Sequence, residues 1–237
     1  MHLRSITFHP EEYPSADQYP FNLALLRETR TIVFDSPVSL FCGENGTGKS
    51  TVLEAVAQKC GIHIWRDTER RRFRYNPYED KLARYVSVEW VDGPVPGSFF
   101  GSSVFQDFAR ILDEWASASP ALLDYFGGSS LLTQSHGQSI MSFFRSRYRI
   151  KGLYLLDEPE TALSPRTQID LVSLVAGMGR KGHAQFIIAT HSPIILACPG
   201  ATIYSLDRAP VERVEYEDTD HYRVYRGFLT DREKYLE

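Results

Sequence analysis

The sequence has little of several features that mark whole classes of protein. No apolar run approaches the roughly 20 residues that a membrane-spanning helix needs. The first residues, MHLRSITFHPEEYP, contain no apolar segment of the kind found in secretory signals. The 3 cysteines, Cys42, Cys60 and Cys198, are far apart and form no CxxC pair. These absences favour a cytoplasmic protein with reduced thiols, no membrane span and no zinc site.

Strong net charge and repetition are also missing. A net charge of −4 gives no global attraction to nucleic acid or to an anionic membrane. The chain shows no internal repeat, low-complexity tract or coiled-coil heptad pattern. Its 237 residues, of which 43% are hydrophobic, are enough for one large folded domain. We therefore expect a single domain over residues 1–237.

Apolar strand-like segments alternate with helical segments along most of the chain. LRSITF, VSLFC, GLYLLD, AQFIIA and ATIYSLD are typical strands, and helical patterns follow several of them. Near-continuous apolar strands of this kind indicate a mostly parallel central sheet that is flanked by helices. Residues of about 65–140 are less regular, and they predict a small irregular or helical sub-lobe. The fold class is therefore α/β.

A glycine-rich stretch after the strand VSLFC carries the clearest chemistry. It reads GENGTGKS and fits the pattern G-x-x-x-x-G-K-[ST] at every position. Its glycines let backbone N–H groups approach a phosphate, while Lys49 reaches the β- and γ-phosphates and Ser50 binds Mg²⁺. The predicted ATP-binding residues are Gly43, Glu44, Asn45, Gly46, Thr47, Gly48, Lys49, Ser50 and Thr51.

Two acids and one histidine follow later strands. Asp157 and Glu158 end GLYLLDEPE, and His191 ends AQFIIATHSP. Because ligands of α/β sheets bind at the carboxyl ends of the strands, all three are candidates for the same site. We expect Asp157 to hold Mg²⁺ with Ser50, Glu158 to act as a general base, and His191 to contact the γ-phosphate.

Together these motifs resemble those of ABC-type ATPases, and more closely the RecF/SMC/OLD-like branch of small stand-alone bacterial proteins described as a predicted AAA family. GENGTGKST, LLDEPE and ATHSP are similar to its Walker A, Walker B and H-loop motifs. QSHGQS occupies the place of the LSGGQ motif, with matches at Ser135, Gly137 and Gln138. The resemblance implies that these three residues bind ATP held by a second copy, in a head-to-tail homodimer with two ATP molecules.

The chain departs from the family pattern at two further motifs. The family's D-loop often reads ALD, whereas this chain has Ala162, Leu163 and Ser164, and Ser164 looks like a helix cap before Pro165. No clear Q-loop stands out. Gln106 is a candidate by its order along the chain, but it lies within a helical pattern, which favours a plain surface residue.

A basic and aromatic cluster lies after the first nucleotide motif. Its arginines could contact a phosphate backbone, but nearby acids also fit a solvated lobe. The cluster consists of Arg66, Arg70, Arg71, Arg72 and Arg74, with Trp65, Phe73 and Tyr75 between and beside them. Nucleic acid is therefore a possible partner that the sequence does not establish.

Two functions stay open. The first is a Mg²⁺-dependent ATPase that dimerises on ATP, in DNA repair, DNA maintenance or phage defence. The alternative is a nucleotide-gated module for an unknown protein partner, such as a toxin or effector pair or a transporter-associated subunit. A small-molecule kinase fits poorly, since Glu158 and His191 have no place in it.

Overall fold

The fold is described from a computed structural model, which describes residues 1–65, 76–101, 105, 110–112, 114–116 and 136–236. The strands in that part of the chain are β1 (Leu3–Phe8), β2 (Thr31–Val33), β3 (Val38–Cys42), β4 (Val86–Trp90), β5 (Gly97–Gly101), β6 (Gly152–Asp157), β7 (Ala184–Ala189), β8 (Thr202–Ser205) and β9 (Glu212–Val214). The helices are α1 (Ala24–Glu28), α2 (Lys49–Lys59), α3 (His136–Arg147), α4 (Pro165–Arg180), α5 (Pro193–Leu196) and α6 (Asp220–Thr230).

A six-stranded sheet forms the centre of the protein, in the order β5-β6-β7-β3-β8-β9. Its first five strands are parallel, and only the edge strand β9 runs antiparallel to its neighbour. A second, antiparallel sheet has the order β2-β1-β4. The predicted mostly parallel sheet is confirmed, and the alternating segment YVSVEWV contributes β4 to the smaller sheet.

Both faces of the large sheet are buried, as the continuous apolar strands predict. On β6, Leu153 and Leu155 point to one side, where they share a core with α2 and the small sheet. Tyr154 and Leu156 point to the other side and share a core with α3 and α4. The sheet is therefore a middle layer between two apolar cores.

Several local predictions are confirmed. Helix α2 begins at Lys49, and α4 begins at Pro165 behind the Ser164 cap, whose Oγ accepts a hydrogen bond from the Thr167 N–H at 3.3 Å. Within the predicted sub-lobe, residues 104–116 are described only in part, and the described residues among them are helical. Residues 65–140 supply β4 and β5 to the two sheets, and the sub-lobe boundaries stay a prediction.

Within the described ranges, no helix combines the length and the apolarity that crossing a membrane requires.

The contact between β6 and the segment before β5 requires a glycine at position 152. A Cβ on Gly152 would lie 2.5 Å from the backbone oxygen of Pro96, which cannot rotate away. Gly177 in α4 offers the contrast, since a Cβ there would meet no atom within 4 Å.

We expect Gly152→Ala to lower the free energy of unfolding by about 1–3 kcal/mol, because the β5–β6 pair must shift. Gly177→Ala, the matched control, should raise it by about 1 kcal/mol, because alanine favours the helix. Urea denaturation measures both. Equal effects of the two substitutions would contradict this packing.

Candidate nucleotide site

Three strands end level with one another at one edge of the large sheet. Ala189 of β7 is paired with both Phe41 of β3 and Asp157 of β6. Two hydrogen bonds continue this pairing beyond the strands, from the Thr190 N–H to the Phe41 oxygen at 3.0 Å and from the Glu158 N–H to the Ala189 oxygen at 2.9 Å. The segments predicted to bind nucleotide therefore leave the sheet side by side.

The glycine-rich loop between β3 and α2 depends on backbone conformations that favour glycine. Gly43, Gly46 and Gly48 all have positive φ angles. A Cβ on Gly48 would lie 2.8 Å from a Leu25 methyl group, so this glycine also allows α1 to pack on the loop. Glu44, Asn45 and Gly46 remain exposed at the loop's outer side.

Lys49 lies inside this loop and is buried. Its Nζ donates to the oxygens of Gly43 at 2.7 Å and of Glu44 at 2.9 Å. Burial lowers its pKa, while the carboxylates of Glu158, Asp207 and Asp157 act in the opposite direction. The ammonium group thus rests on backbone oxygens that a phosphate could replace, and this holds the loop in place without a ligand.

Ser50 and Asp157, the predicted magnesium ligands, meet across the strand ends. Ser50 Oγ donates to Asp157 Oδ1 at 3.0 Å. Burial raises the pKa of Asp157 to about 7, because the loss of water around the carboxylate outweighs the hydrogen bond from Ser50 and the charge of Lys49. A hydroxyl beside a carboxylate is an oxygen-donor set that suits Mg²⁺, so the residues present fit this ion.

Glu158 adopts a left-handed backbone conformation, with φ of 45° and ψ of 54°. Three hydrogen bonds hold its backbone. The Glu158 N–H donates to the Ala189 oxygen, and the Glu158 oxygen accepts from the Thr161 N–H at 3.2 Å and from the Thr161 Oγ at 3.0 Å. Because the chain turns here, the Glu158 carboxylate faces His191 whereas Asp157 faces Ser50. The two neighbouring acids therefore serve different parts of the site.

His191 follows β7 and is half-buried between acidic groups. Its Nε2 is 3.4 Å from Glu158 Oε1, and its backbone N–H donates to Glu160 Oε1 at 2.6 Å. Burial and the charge of Lys49 lower the pKa of His191, although Glu158 opposes this change. Burial also raises the pKa of Glu160. Glu160, which the sequence reasoning missed, fixes the backbone of the histidine loop.

Two more residues at this edge were missed by the sequence reasoning. Asp207, just after β8, accepts a hydrogen bond from the Glu44 N–H at 2.6 Å. His221, in the first turn of α6, places its Nε2 3.1 Å from His191 Nδ1. The sequence does hold a signal for Asp207, because it follows an apolar strand in the same way as Asp157 does. Since β8 is parallel to β3, Asp207 lies at the same edge of the sheet as the glycine-rich loop. Nothing in the sequence pattern places α6 beside β7.

Gly137 and Gln138, the described matches to the LSGGQ motif, lie away from the glycine-rich loop. Gly137 is in the first turn of α3, where a Cβ would lie 3.6 Å from the oxygen of Ala162. Gly137 and Gln138 line a groove with Ala162 and Ser164 rather than the glycine-rich loop. Ser135, Gln106 and the five arginines, Arg66, Arg70, Arg71, Arg72 and Arg74, lie outside the described residues.

Two family models match separate parts of the chain. One, described as an AAA domain, matches residues 21–71, which include α1, the glycine-rich loop and α2. The other, described as "AAA domain, putative AbiEii toxin, Type IV TA system", matches residues 130–197, which include α3, the acidic strand end and His191. A search of curated proteins finds no similar sequence.

Solved structures agree with these matches in fold. A chain described as "a putative metal-chelate type ABC transporter" in an inward-facing conformation superposes with a TM-score of 0.52 and 19% identity, over 95% of this chain and 88% of the other. The SMC head domain from Thermotoga maritima gives a TM-score of 0.50 and 15% identity, over 91% of this chain and 100% of the other. Two AAA-domain models thus each match part of the chain, and its fold is that of an ABC-type ATPase. An intact phosphate loop on this fold makes it a nucleotide-binding protein.

The left-handed conformation of Glu158 gives a test of the strand end that does not depend on activity. We expect Glu158→Gly to be more stable than Glu158→Ala by about 1 kcal/mol, because only glycine adopts this conformation without strain. Denaturant unfolding of the two variants measures the difference. The same pair at the exposed helical residue Asp170 should give the opposite order. An alanine variant at 158 as stable as the glycine one would contradict the turn.

The raised pKa of Asp157 predicts how stability changes with pH when metal is absent. The folded protein holds this proton more tightly than the unfolded chain, so the contribution of Asp157 is lost as the pH rises from about 4 to about 7. In EDTA, Asp157→Asn should therefore be more stable than the wild type at pH 8, and the gap should narrow at pH 5. Urea denaturation at both values measures it. A gap of the same size at both pH values would contradict the burial of this carboxyl group.

Proposed function

We propose that this ABC-type protein binds Mg²⁺ and ATP at the level strand ends and hydrolyses ATP to ADP and phosphate. The observation that carries this proposal is the meeting of Lys49, Ser50, Asp157, Glu158 and His191 at one edge of the sheet. Each of these residue types has a use in phosphoryl transfer, and a kinase would not need both Glu158 and His191 beside its phosphate loop.

Each group has a distinct role in the proposed reaction. The glycine-rich loop presents N–H groups to the phosphates, and Lys49 exchanges its two backbone oxygens for phosphate oxygens. Ser50 and Asp157 hold Mg²⁺, which neutralises charge on the phosphates when it is bound. Glu158 takes a proton from water, and the water oxygen then bonds to the γ-phosphorus as the bond to ADP breaks. His191 donates a hydrogen bond to the transferring phosphate.

The proposal extends to a head-to-tail homodimer. Gly137 and Gln138 lie at the start of α3, beside the segment after β6 and away from the glycine-rich loop of their own chain. The N–H groups of a helix start bind anions, and a second copy is the natural source of one. We propose that Ser135, Gly137 and Gln138 contact the ATP of the partner copy, so that ATP binding closes the dimer and hydrolysis opens it.

A function in DNA repair, DNA maintenance or phage defence, in the cytoplasm, is the biological part of this proposal. What supports it is the resemblance of GENGTGKST, LLDEPE and ATHSP to the motifs of the RecF/SMC/OLD-like branch. The arginine cluster is the proposed nucleic-acid contact, and no described contact bears on it.

A second candidate function is a nucleotide-gated module for a protein partner. An open groove of about 940 Å³ extends from His191 between α4, α5 and α6. Ile169, Tyr225 and Leu229 line it with strongly exposed side chains. An apolar surface next to a phosphate sensor suits a partner whose binding depends on the nucleotide. The toxin named in one family description supports the same candidate.

Glu158→Gln tests the reaction and the dimer together. The amide cannot accept the proton from water, so we expect multiple-turnover ATP hydrolysis to fall at least about 100-fold while ATP still binds. Phosphate release and equilibrium binding of ATP measure these two effects. Light scattering after gel filtration with Mg²⁺ and ATP should show a dimer. Glu212→Gln, at an exposed position of β9, is the matched control.

The possible outcomes separate the parts of the proposal. Wild-type hydrolysis by Glu158→Gln would overturn the function of Glu158 as a base. Loss of hydrolysis with a monomer in ATP would overturn the dimer alone. The same trapped protein, used as bait with and without ATP, distinguishes nucleic acid from a protein partner.

A further inference from the structure

A second histidine completes the candidate site from the C-terminal part of the chain. His221 Nε2 lies 3.1 Å from His191 Nδ1, and the two ring centroids are 5.3 Å apart. The first turn of α6 is fixed at this position by Thr219, a buried residue whose Oγ accepts from the Tyr222 N–H at 3.2 Å and donates to the Tyr216 oxygen at 2.7 Å. The histidine pair is therefore part of a built contact.

The two imidazoles have only two ways to share a hydrogen bond when both are neutral. A neutral ring carries one N–H and one acceptor nitrogen, so one histidine must donate and the other must accept. Burial lowers the pKa of both side chains, which favours the neutral forms at neutral pH. Each ring has one nitrogen outside this shared hydrogen bond, which we call its outer nitrogen: Nε2 in His191 and Nδ1 in His221. The choice between the two arrangements depends on what each outer nitrogen faces.

The outer nitrogen of His191 favours one arrangement. If His221 Nε2–H donates to His191 Nδ1, the remaining proton of His191 is on Nε2 and faces the Glu158 carboxylate at 3.4 Å. If His191 donates instead, the lone pair of its Nε2 faces that carboxylate. Two acceptors in this position repel each other, so the first arrangement is more stable.

The outer nitrogen of His221 favours the same arrangement. Its Nδ1 is buried and has no hydrogen-bond partner among the described residues. If His221 accepts through Nε2, its proton is on Nδ1, and a buried N–H is then left without an acceptor. If His221 donates through Nε2, only a lone pair is left there. His191 Nε2 is likewise buried without a hydrogen-bond partner among the described residues, so either arrangement places one N–H at such a position. Only His191 Nε2 has a carboxylate beside it to attract that N–H, which makes the arrangement with the proton on His221 Nδ1 the costlier one.

We propose that His221 is a positioning residue that fixes His191 as the Nε2–H tautomer. The N–H of His191 then points at Glu158 and, on the proposed function, at the terminal phosphate of ATP. In this arrangement His191 presents an N–H to the site, and a phosphate oxygen, which is an acceptor, can bind only a donor. The inference about the tautomer stands on the protein alone, whereas its use in hydrolysis rests on the proposed function.

The tautomers are measured directly without nucleotide. Long-range ¹H–¹⁵N spectra of the histidine-labelled full chain distinguish protonated from unprotonated ring nitrogens, and His191→Gln and His221→Gln assign the signals. We expect a protonated Nε2 and an unprotonated Nδ1 on both His191 and His221. A protonated Nδ1 on His191 would overturn the proposal, whether or not the protein hydrolyses ATP.

Variants at His221 test the polarity of the contact during turnover. His221→Gln keeps an N–H donor near the position of Nε2, whereas His221→Glu offers only acceptors when ionised. We expect kcat to fall about tenfold in His221→Glu and His221→Ala, as the loss of one hydrogen bond implies, and to stay closer to wild type in His221→Gln, with KM little changed in all three. Val224→Ala controls for a change on the exposed face of α6. Equal kcat in the Gln and Glu variants would overturn the positioning function.

Discussion

Level parallel pairing of β3, β6 and β7 is the constraint on which the candidate site depends. A single residue of β7, Ala189, is paired with Phe41 on one side and with Asp157 on the other. The glycine-rich loop, the acidic turn and the histidine loop therefore begin at the same height, although they are far apart in the sequence. A slip of one residue in either pair would turn the strand side chains to the wrong face and separate Ser50 from Asp157.

The charged side chains at this edge compensate one another only in part when no nucleotide is bound. The buried ammonium of Lys49 interacts with Glu158, Asp207 and Asp157, and it also occupies backbone oxygens of its own loop. Asp157 still has a raised pKa, because burial outweighs this compensation. A divalent cation beside Asp157 and a polyphosphate beside Lys49 would each bring a charge opposite to that of the buried group. The electrostatics of the described residues thus favour joint binding of a metal and a phosphate chain over either alone.

Local sequence rules predicted the parts of the protein that depend on local physics. The strands at LRSITF, VSLFC, GLYLLD, AQFIIA and ATIYSLD, the loop glycines, the start of α2 and the Ser164 cap follow from periodicity, φ angles and capping, and the structure confirms them. Strand β5, the glycine-flanked edge strand of the large sheet, was not predicted, because its short sequence GSFFG shows no alternation. Asp207, Glu160 and His221 were missed because their value depends on which segments meet in space. Asp207 reaches the glycine-rich loop because β8 lies beside β3 in the sheet. His221 reaches His191 because α6 lies beside the histidine loop.

Helix α6 is joined to the site through its first turn, yet none of its residues is buried. Little apolar surface therefore opposes its release, and a helix of this kind can detach while the core of the domain stays folded. The fraction of molecules with α6 docked then sets the fraction in which His191 has its partner. Any molecule that covers the exposed Tyr225 and Leu229 would raise that fraction. The site thus joins a sheet that is buried on both faces to a helix that is held mainly through the Thr219 cap of its first turn.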